Sequence, residues 1–388
     1  MNYLVIGDSG SMHIYNFVKT VLLPRNYKVH LLTLSTKPIR HEYLEFYRQN
    51  EVTIHSLYEC GYKNLDKTDK FHRLINLYRK FLLMKKVPKV DVCHVQSVYK
   101  TSIAMVLKNR KKFKRLILSY WGGDIENRSR GVVEIRKKCF ALADAITVTA
   151  KQTMQDFREI YGNEFDDKLK VCRFATDGLS CINKLSREIT LEECRKAYHI
   201  SRNKICITCG YSAYREQHQD RCIEQINKLP KELKDKLFVI VPMQYGRLDD
   251  KEYFERVESQ KEKADFECVI LKEFVPFEMS VKLAIATDIY LHLRDTDAFS
   301  NALKEHVYAG SEVVSGKWLK YIELDEMNAP VKYISDFNQL RDTLETMIEN
   351  YSPKNEMVLF EPIYNLYSTE NIVKAWEDVI DFAVNTNL

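Results

Sequence analysis

The sequence predicts an α/β chain made of two doubly wound, parallel-sheet domains. Three observations predict it. Short apolar runs of strand length alternate with amphipathic stretches almost from end to end, the pattern of a parallel sheet covered by helices on both faces. The alternation lapses once, at "RFATDGLSCINKLSREIT" (173–190), and then resumes as a second series. The chain has 388 residues with 45 % hydrophobic side chains, enough to fill two cores.

Taken in order, the first series places strands at 3–6, 28–34, 52–57, 91–96, 115–120, 145–150 and 169–174. The second places them at 204–210, 237–242, 268–273, 288–293, 311–315 and 331–335. The expected domains are therefore 1–180 and 190–367. The last stretch, "STENIVKAWEDVIDFAV" (368–384), opens on a capping-type Ser and carries apolar residues at helical spacing. A helix over 368–388 is expected to pack back on the first domain.

In open parallel sheets, ligands bind beyond the carboxyl ends of the strands. The loops that follow strands therefore carry the functional reading, and two domains facing each other in this way leave a cleft. After the first strand, "GDSGSMHIYNF" offers Gly7 and Gly10 for a tight turn, Ser9 or Ser11 as a helix cap, and His13 in the first helical turn. The spacing is not GxGxxG and no acid closes the second strand, which excludes a dinucleotide fingerprint. His94 and Gln96 leave the strand in "DVCHVQSVY"; a lone His there is more often a satisfied core group than a catalyst. "SYWGGDIENRS" (119–129) places Trp121 to stack on a sugar ring. Gly122 and Gly123 permit close backbone approach, and Asp124 is placed to accept a hydroxyl or its proton. A structural turn would use the same residues.

In the second series, "CGYSAYREQHQD" follows a strand and opens a helix. Gly210 and Tyr211 form the turn, and Arg215 supplies a planar fork suited to a diphosphate. "VPMQYG" (241–246) puts Gln244 at another strand end. "FVPFEMSVKLAIATDIYLHL" (274–293) begins with Phe274, Val275 and Pro276.

The densest constellation is "DTDAFSNALKEHVYAGSEVV" (295–314). Ser300 is positioned to cap a helix beginning at Asn301. The amides of Asn301, Ala302 and Leu303 would then lie at the positive end of the helix dipole, where phosphate binds. Glu305, just over one turn on, is a carboxylate able to accept a ribose hydroxyl pair. Asp297 in the preceding loop is free to reach sugar hydroxyls. The same residues would also make an ordinary helix with a capping Ser and solvated acids.

Asp297 and Glu305, eight positions apart, resemble the acid-x7-acid element of the GT-B glycosyltransferases, family 4 above all. Asp stands where that family usually has Glu. The resemblance implies two Rossmann-like domains across a cleft, the second holding a nucleoside-diphosphate sugar. It implies that Asp297 meets the transferred sugar, that Glu305 meets the ribose, and that Gly210, Tyr211, Arg215, Gln244, Ser300, Asn301 and Ala302 complete the donor site. Tyr211 stands where the family often has a further Arg, so the partner cation is left to His218, Lys304 or Arg294. The 241–293 region resembles transferases of lipid-linked bacterial polysaccharide intermediates, including those moving 4-acetamido-fucose; there Phe274 and Val275 would hold the base. Acceptor contacts would come from Ser9, His13, His94, Gln96, Trp121, Gly123 and Asp124. Retention of configuration without a metal or cofactor is implied. Asp124, then His13, would serve as base if the reaction inverts; Arg215 would stabilise the leaving group.

Charge adds a partner. Residues 1–180 hold 32 Lys+Arg against 18 Asp+Glu, while the whole chain is only +5. "DKFHRLINLYRKFLLMKK" (69–86) sets Phe71, Leu74, Ile75, Tyr78, Phe81 and Leu82 among Lys and Arg, and "LKNRKKFKR" (107–115) adds six cations. Such surfaces attract anionic lipid, although a solvated helix face has the same composition. No nucleic-acid recognition motif accompanies them. No apolar run reaches the length of a membrane span, and "MNYLVIGDSG" reads as a strand and not a signal peptide. The expected place is thus the cytoplasm, peripherally on the inner face of the membrane. Ten cysteines lack a secreted-scaffold spacing. Cys206 and Cys209 alternate across a strand and cannot share a metal.

The expectation is a bacterial hexosyltransferase-like glycosyltransferase for capsule or O-antigen synthesis. It would take a nucleotide sugar and a saccharide or polyprenyl-diphosphate-linked acceptor. The alternatives are a nucleotide-sugar 2-epimerase of the same architecture and a non-catalytic binding subunit.

Overall fold

Each apolar run of the sequence forms a strand, and every pairing between strands is parallel. The computed structural model describes all residues except 64, 66, 68, 122–128, 175–176, 298, 352–353, 355 and 386–388. The first sheet contains β1 (Asn2–Gly7), β2 (Lys28–Thr33), β3 (Thr53–His55), β4 (Val90–Val95), β5 (Phe113–Tyr120), β6 (Ala145–Val148) and β7 (Leu169–Val171). Its order is β3-β2-β1-β4-β5-β6-β7. The second contains β8 (Ile205–Cys209), β9 (Leu237–Pro242), β10 (Glu267–Leu271), β11 (Ile289–His292), β12 (Glu312–Gly316) and β13 (Val331–Ile334), in the order β10-β9-β8-β11-β12-β13. Central strands such as "LFVIVP" of β9 are buried at every position, which explains why they read as continuous apolar runs.

Two units result: 1–175 with 369–388, and 176–368. The Asp177–Glu188 helix, in the stretch where strand logic lapses, belongs to the second unit. The Thr369–Asn385 helix belongs to the first: Trp376 donates from Nε1 to the Arg173 carbonyl at 3.0 Å and packs on Phe17. Each unit has its own core, around Leu4, Ile6, Val95, Leu118 and Phe157 in the first and Ile207, Val239, Leu291, Val314 and Leu344 in the second.

Strand order reverses between β1 and β4 in one sheet and between β8 and β11 in the other. These are the two topological switch points, where the crevice for a ligand opens at the carboxyl ends. In register, Ile6 faces Val95 and Leu291 faces Cys209. The loops after β1, β4, β8 and β11 therefore converge in pairs.

All ten cysteines are free thiols; Cys60 is exposed, Cys181 and Cys268 are half-buried, and seven are buried. Cys206 and Cys209 lie in one strand with different neighbours, Asp288 beside Cys206 and Cys222 beside Cys209. Among the described residues no His, Cys, Asp and Glu cluster has the geometry of a metal site.

The second basic run is less available than its composition suggests. Lys112 Nζ donates to the carbonyls of Met84, Lys85 and Val87 at 2.9, 2.8 and 2.6 Å, closing the end of the Lys70–Lys86 helix. Lys114 pairs with Asp91, Arg115 with Asp144, and Arg110 lies over Phe113.

Candidate functional site

The second switch point collects the loops after β8 and β11. Gly210 ends β8 with φ +65°, its N–H bonded to the Leu291 carbonyl at 3.0 Å. A Cβ there would lie 2.7 Å from Gln217 Oε1, and the left-handed backbone favours glycine at this turn. Gln219 then straps the strand ends together, donating from Nε2 to the carbonyls of Cys209 and Pro242 at 3.0 and 2.8 Å.

Across from it, the loop after β11 is held in strain. Phe299 is a buried aromatic at φ +63°, a region that bulky residues rarely enter. Its ring is fixed against Tyr321 and Tyr367 at 5.3 and 5.4 Å. This geometry delivers Ser300 as the N-cap of the Asn301–Tyr308 helix, with its hydroxyl accepting from Leu303 N–H at 3.5 Å.

Asp297 is the electrostatic centre. Its Oδ2 receives the Ser300 N–H at 2.8 Å and the Tyr321 hydroxyl at 2.8 Å, and lies 3.1 Å from His292 Nε2. Burial opposes its ionisation. Hydrogen bonding and charge from His292, with the Ser300 amide and Tyr321, outweigh that and hold the carboxyl well below the usual range. Asp297 Oδ1 faces Arg294 Nη1 at 3.6 Å. Arg294 also donates to the Tyr211 hydroxyl and lies over the Tyr211 ring. Its Nε and the Nδ1 of His292 are buried without a hydrogen-bond partner among the described residues. Gln244 Nε2, in the loop after β9, is in the same condition. Such atoms also occur elsewhere, on Gln96 Oε1 and Trp121 Nε1 at the first switch point among others; a bound ligand is one way of satisfying them.

Glu305 is half-buried, and its carboxylate has no hydrogen bond among the described residues. It lies against the Asp177–Glu188 helix, where a Cβ on Gly178 would meet its Oε1 at 2.0 Å. Withdrawal from water pushes its pKa up to about 7; Lys304 opposes this and Asp177 adds to it. The two acids of the motif thus differ, one firmly ionised and the other titrating near neutrality.

The expected diphosphate cation, Arg215, is engaged by neighbouring acids in this structure. Arg215 Nε and Nη2 bind Asp250 at 2.5 and 2.6 Å, and Nη2 also meets Glu252 at 2.7 Å, so its fork is filled. Of the three alternatives, His218 pairs with Asp295 at 2.6 Å and Lys304 points over the rings of Phe299 and Tyr367. Arg294 is the cation beside Asp297. On the loop after β10, Val275 is half-buried and Phe274 is 82 % exposed, sharing no ring contact with the cluster. Asn301 and Ala302 lie at the partly open start of the capped helix.

The first switch point holds a smaller group. Ser11 caps the Met12–Phe17 helix by accepting the His13 N–H at 3.2 Å. The His13 ring stands edge-on to Trp121 at 5.4 Å and near Phe174 at 4.9 Å. Three anticipated acceptor residues are instead interior. His94 is fully buried, bonded to Tyr3 at 3.0 Å and Ser119 at 2.6 Å and packed on Phe17 and Trp376; burial lowers its pKa to about 3. It is a neutral core residue. Gln96 turns its Nε2 onto the His94 ring, and both Gln96 and Ser9 are buried. Gly123 and Asp124 lie outside the described residues.

Sequence reasoning missed His292 and Tyr321. His292 carried a signal, a polar residue ending an otherwise apolar strand; Tyr321, 24 positions past Asp297, carried none.

No family model matches the chain, and no curated protein matches it in sequence. Solved structures do match in fold. Anabaena Alr3699/HepE, solved in complex with UDP, aligns with TM-score 0.65 at 12 % identity, over 98 % of this chain and 99 % of that one. A glycosyltransferase from Rickettsia africae aligns with TM-score 0.67 at 12 % identity, over 100 % and 99 %. An E. coli trehalose-6-phosphate protein bound with UDP-2-fluoro glucose aligns with TM-score 0.67 at 10 % identity over the whole of both chains. The fold, two parallel-sheet α/β domains of seven and six strands, is that of the GT-B class.

Proposed function

We propose that the protein is a glycosyltransferase that moves a sugar from a nucleoside-diphosphate donor, bound by the second unit, to a saccharide or lipid-linked saccharide. The observation that carries this reading is the set of unsatisfied groups at the second switch point. Arg294 has a donor without a partner among the described residues, the capped helix offers its first amides, and the Glu305 carboxylate has no hydrogen bond among the described residues. Together these match a diphosphate with its ribose. Two fold neighbours were solved with UDP and with UDP-2-fluoro glucose, which makes a uridine donor the first to try.

In this reading, Arg294 and the amides after Ser300 stabilise the departing diphosphate, in place of Arg215; removing one such interaction typically costs about 3–4 kcal/mol of barrier. Oδ2 of Asp297 is filled by its donors, which leaves Oδ1, beside Arg294, for a sugar hydroxyl. Glu305 accepts from the ribose. Retention without a metal follows if a donor phosphate oxygen takes the acceptor proton; Asp124, then His13, is the base if the reaction inverts. His13 and Trp121 form the described part of the acceptor surface.

The role we assign is bacterial surface polysaccharide synthesis, on a polyprenyl-diphosphate-linked acceptor at the inner face of the cell membrane. The basic balance of residues 1–180 supports it. Calorimetry with nucleoside diphosphates, followed by product analysis with and without acceptor, tests the reading. Nucleotide binding with sugar transfer is the expected result. Epimerised sugar nucleotide from donor alone would replace the transferase with a 2-epimerase, and no binding by any nucleoside diphosphate would overturn both.

A further inference from the structure

The Lys70–Lys86 helix carries apolar residues on two sides, one packed on the core and one turned outward. Asn76, Leu83 and Met84 face the core of the first unit and are buried. On the opposite side Phe71, Leu74 and Tyr78, at i, i+3 and i+7, are 68, 65 and 65 % exposed, with Leu77 beside them at 37 %. Three large apolar side chains on one solvent-facing stripe are unusual for a face meant to stay in water.

The charged side chains of the helix itself are all cationic. The helix contains six Lys and Arg and no acid. Two of the six are drawn inward: Arg79 bonds the Lys63 carbonyl and Asn76, and Lys80 is half-buried. Lys70, Arg73, Lys85 and Lys86 have no carboxylate partner among the described residues. At the N-terminus, the cap Asp69 is held by His72 at 2.6 Å. At the other end Lys112 locks the last carbonyls, so the stripe is presented on a capped helix.

We propose that this outward face docks on an anionic lipid bilayer, with Phe71, Leu74 and Tyr78 entering the headgroup boundary and Lys70, Arg73, Lys85 and Lys86 meeting lipid phosphates. The occupant follows from charge. An apolar stripe flanked by four cations without carboxylate partners among the described residues, with the neighbouring Asp69 already held by His72, complements an anionic interface. A second copy would bring the same four cations against these. The proposal rests on the transferase reading only for the reason the chain is at a membrane.

The test is flotation of the full chain with phosphatidylcholine vesicles, with and without phosphatidylglycerol. The expected result is co-flotation with the anionic vesicles only, weakening by about fivefold per neutralised cation. The combined variant Lys70→Gln/Arg73→Gln/Lys85→Gln/Lys86→Gln should lose it. Phe71→Ser/Leu74→Ser/Tyr78→Ser should reduce it by at least about tenfold. These side chains are exposed, so circular dichroism and melting should match the parent. Absence of flotation for the parent, flotation of the serine variant equal to the parent, or a dimer in light scattering that the serine variant abolishes would each overturn the proposal. Nucleotide calorimetry on the same variants separates the two claims. Flotation lost with nucleotide binding kept leaves the transferase reading standing. Flotation kept in a protein that binds no nucleotide would leave the docking surface without that enzyme.

Discussion

Glu305 and Arg294 carry the sharpest residue-level consequences. A carboxyl raised to about 7 by burial is harmless while protonated. Its contribution is therefore fully present below the unfolded value of about 4.3 and is lost as pH rises through 7. Glu305→Gln is expected to melt higher than the parent at pH 8, by on the order of 1–3 kcal/mol, with the gap closing by pH 5; melting curves across pH check this. The same substitution should weaken nucleotide binding at pH 8. In the parent, affinity should improve from pH 6 to pH 8, because the ionised form accepts the ribose hydroxyls. Arg294→Ala is expected to weaken UDP binding by at least about tenfold. Arg215→Ala, removing a group already paired with Asp250 and Glu252, should change it little. Calorimetry on the two variants decides between the cations. Gly178→Ala should displace Glu305 and lower nucleotide affinity, since its Cβ would fall on the carboxylate.

At the scale of elements, the Asn301–Tyr308 helix depends on its cap. Ser300→Ala is expected to cost about 1 kcal/mol of stability and to weaken nucleotide binding, read by melting and titration together. Lys112→Met should fray the end of the Lys70–Lys86 helix, seen as faster hydrogen exchange over 83–87. The strands were legible in the sequence because buried parallel strands are continuous apolar runs between polar stretches. The capping serine was legible because its chemistry is local. The partner of a charged side chain was not. Arg215 stands in a phosphate-loop position, yet Asp250, 35 residues on, captures its fork. His94 is a similar case: a histidine at a strand end gives no sign of the tyrosine 91 residues earlier that buries with it.

Across the whole molecule, charge divides along the sequence, and in the proposed reading the donor belongs to the second unit. Hydrogen exchange with UDP should show its strongest protection over 209–217 and 291–305, with residues 1–175 changing least; protection centred on the first unit would displace the donor site. The doubly wound class was readable from the double series of runs. The assembly of Arg294, Asp297 and Tyr321 was not, because it joins a strand end, a loop and a distant tyrosine with no fixed spacing. One last property follows from the thiols. Seven are shut inside, and burial holds several of these sulfurs in the unreactive protonated form. Cys60, alone in being exposed, precedes the outward-facing basic helix by ten residues. Brief alkylation at neutral pH should therefore mark the native chain chiefly there, giving a fluorophore position whose colour would report arrival at a bilayer without any engineered cysteine.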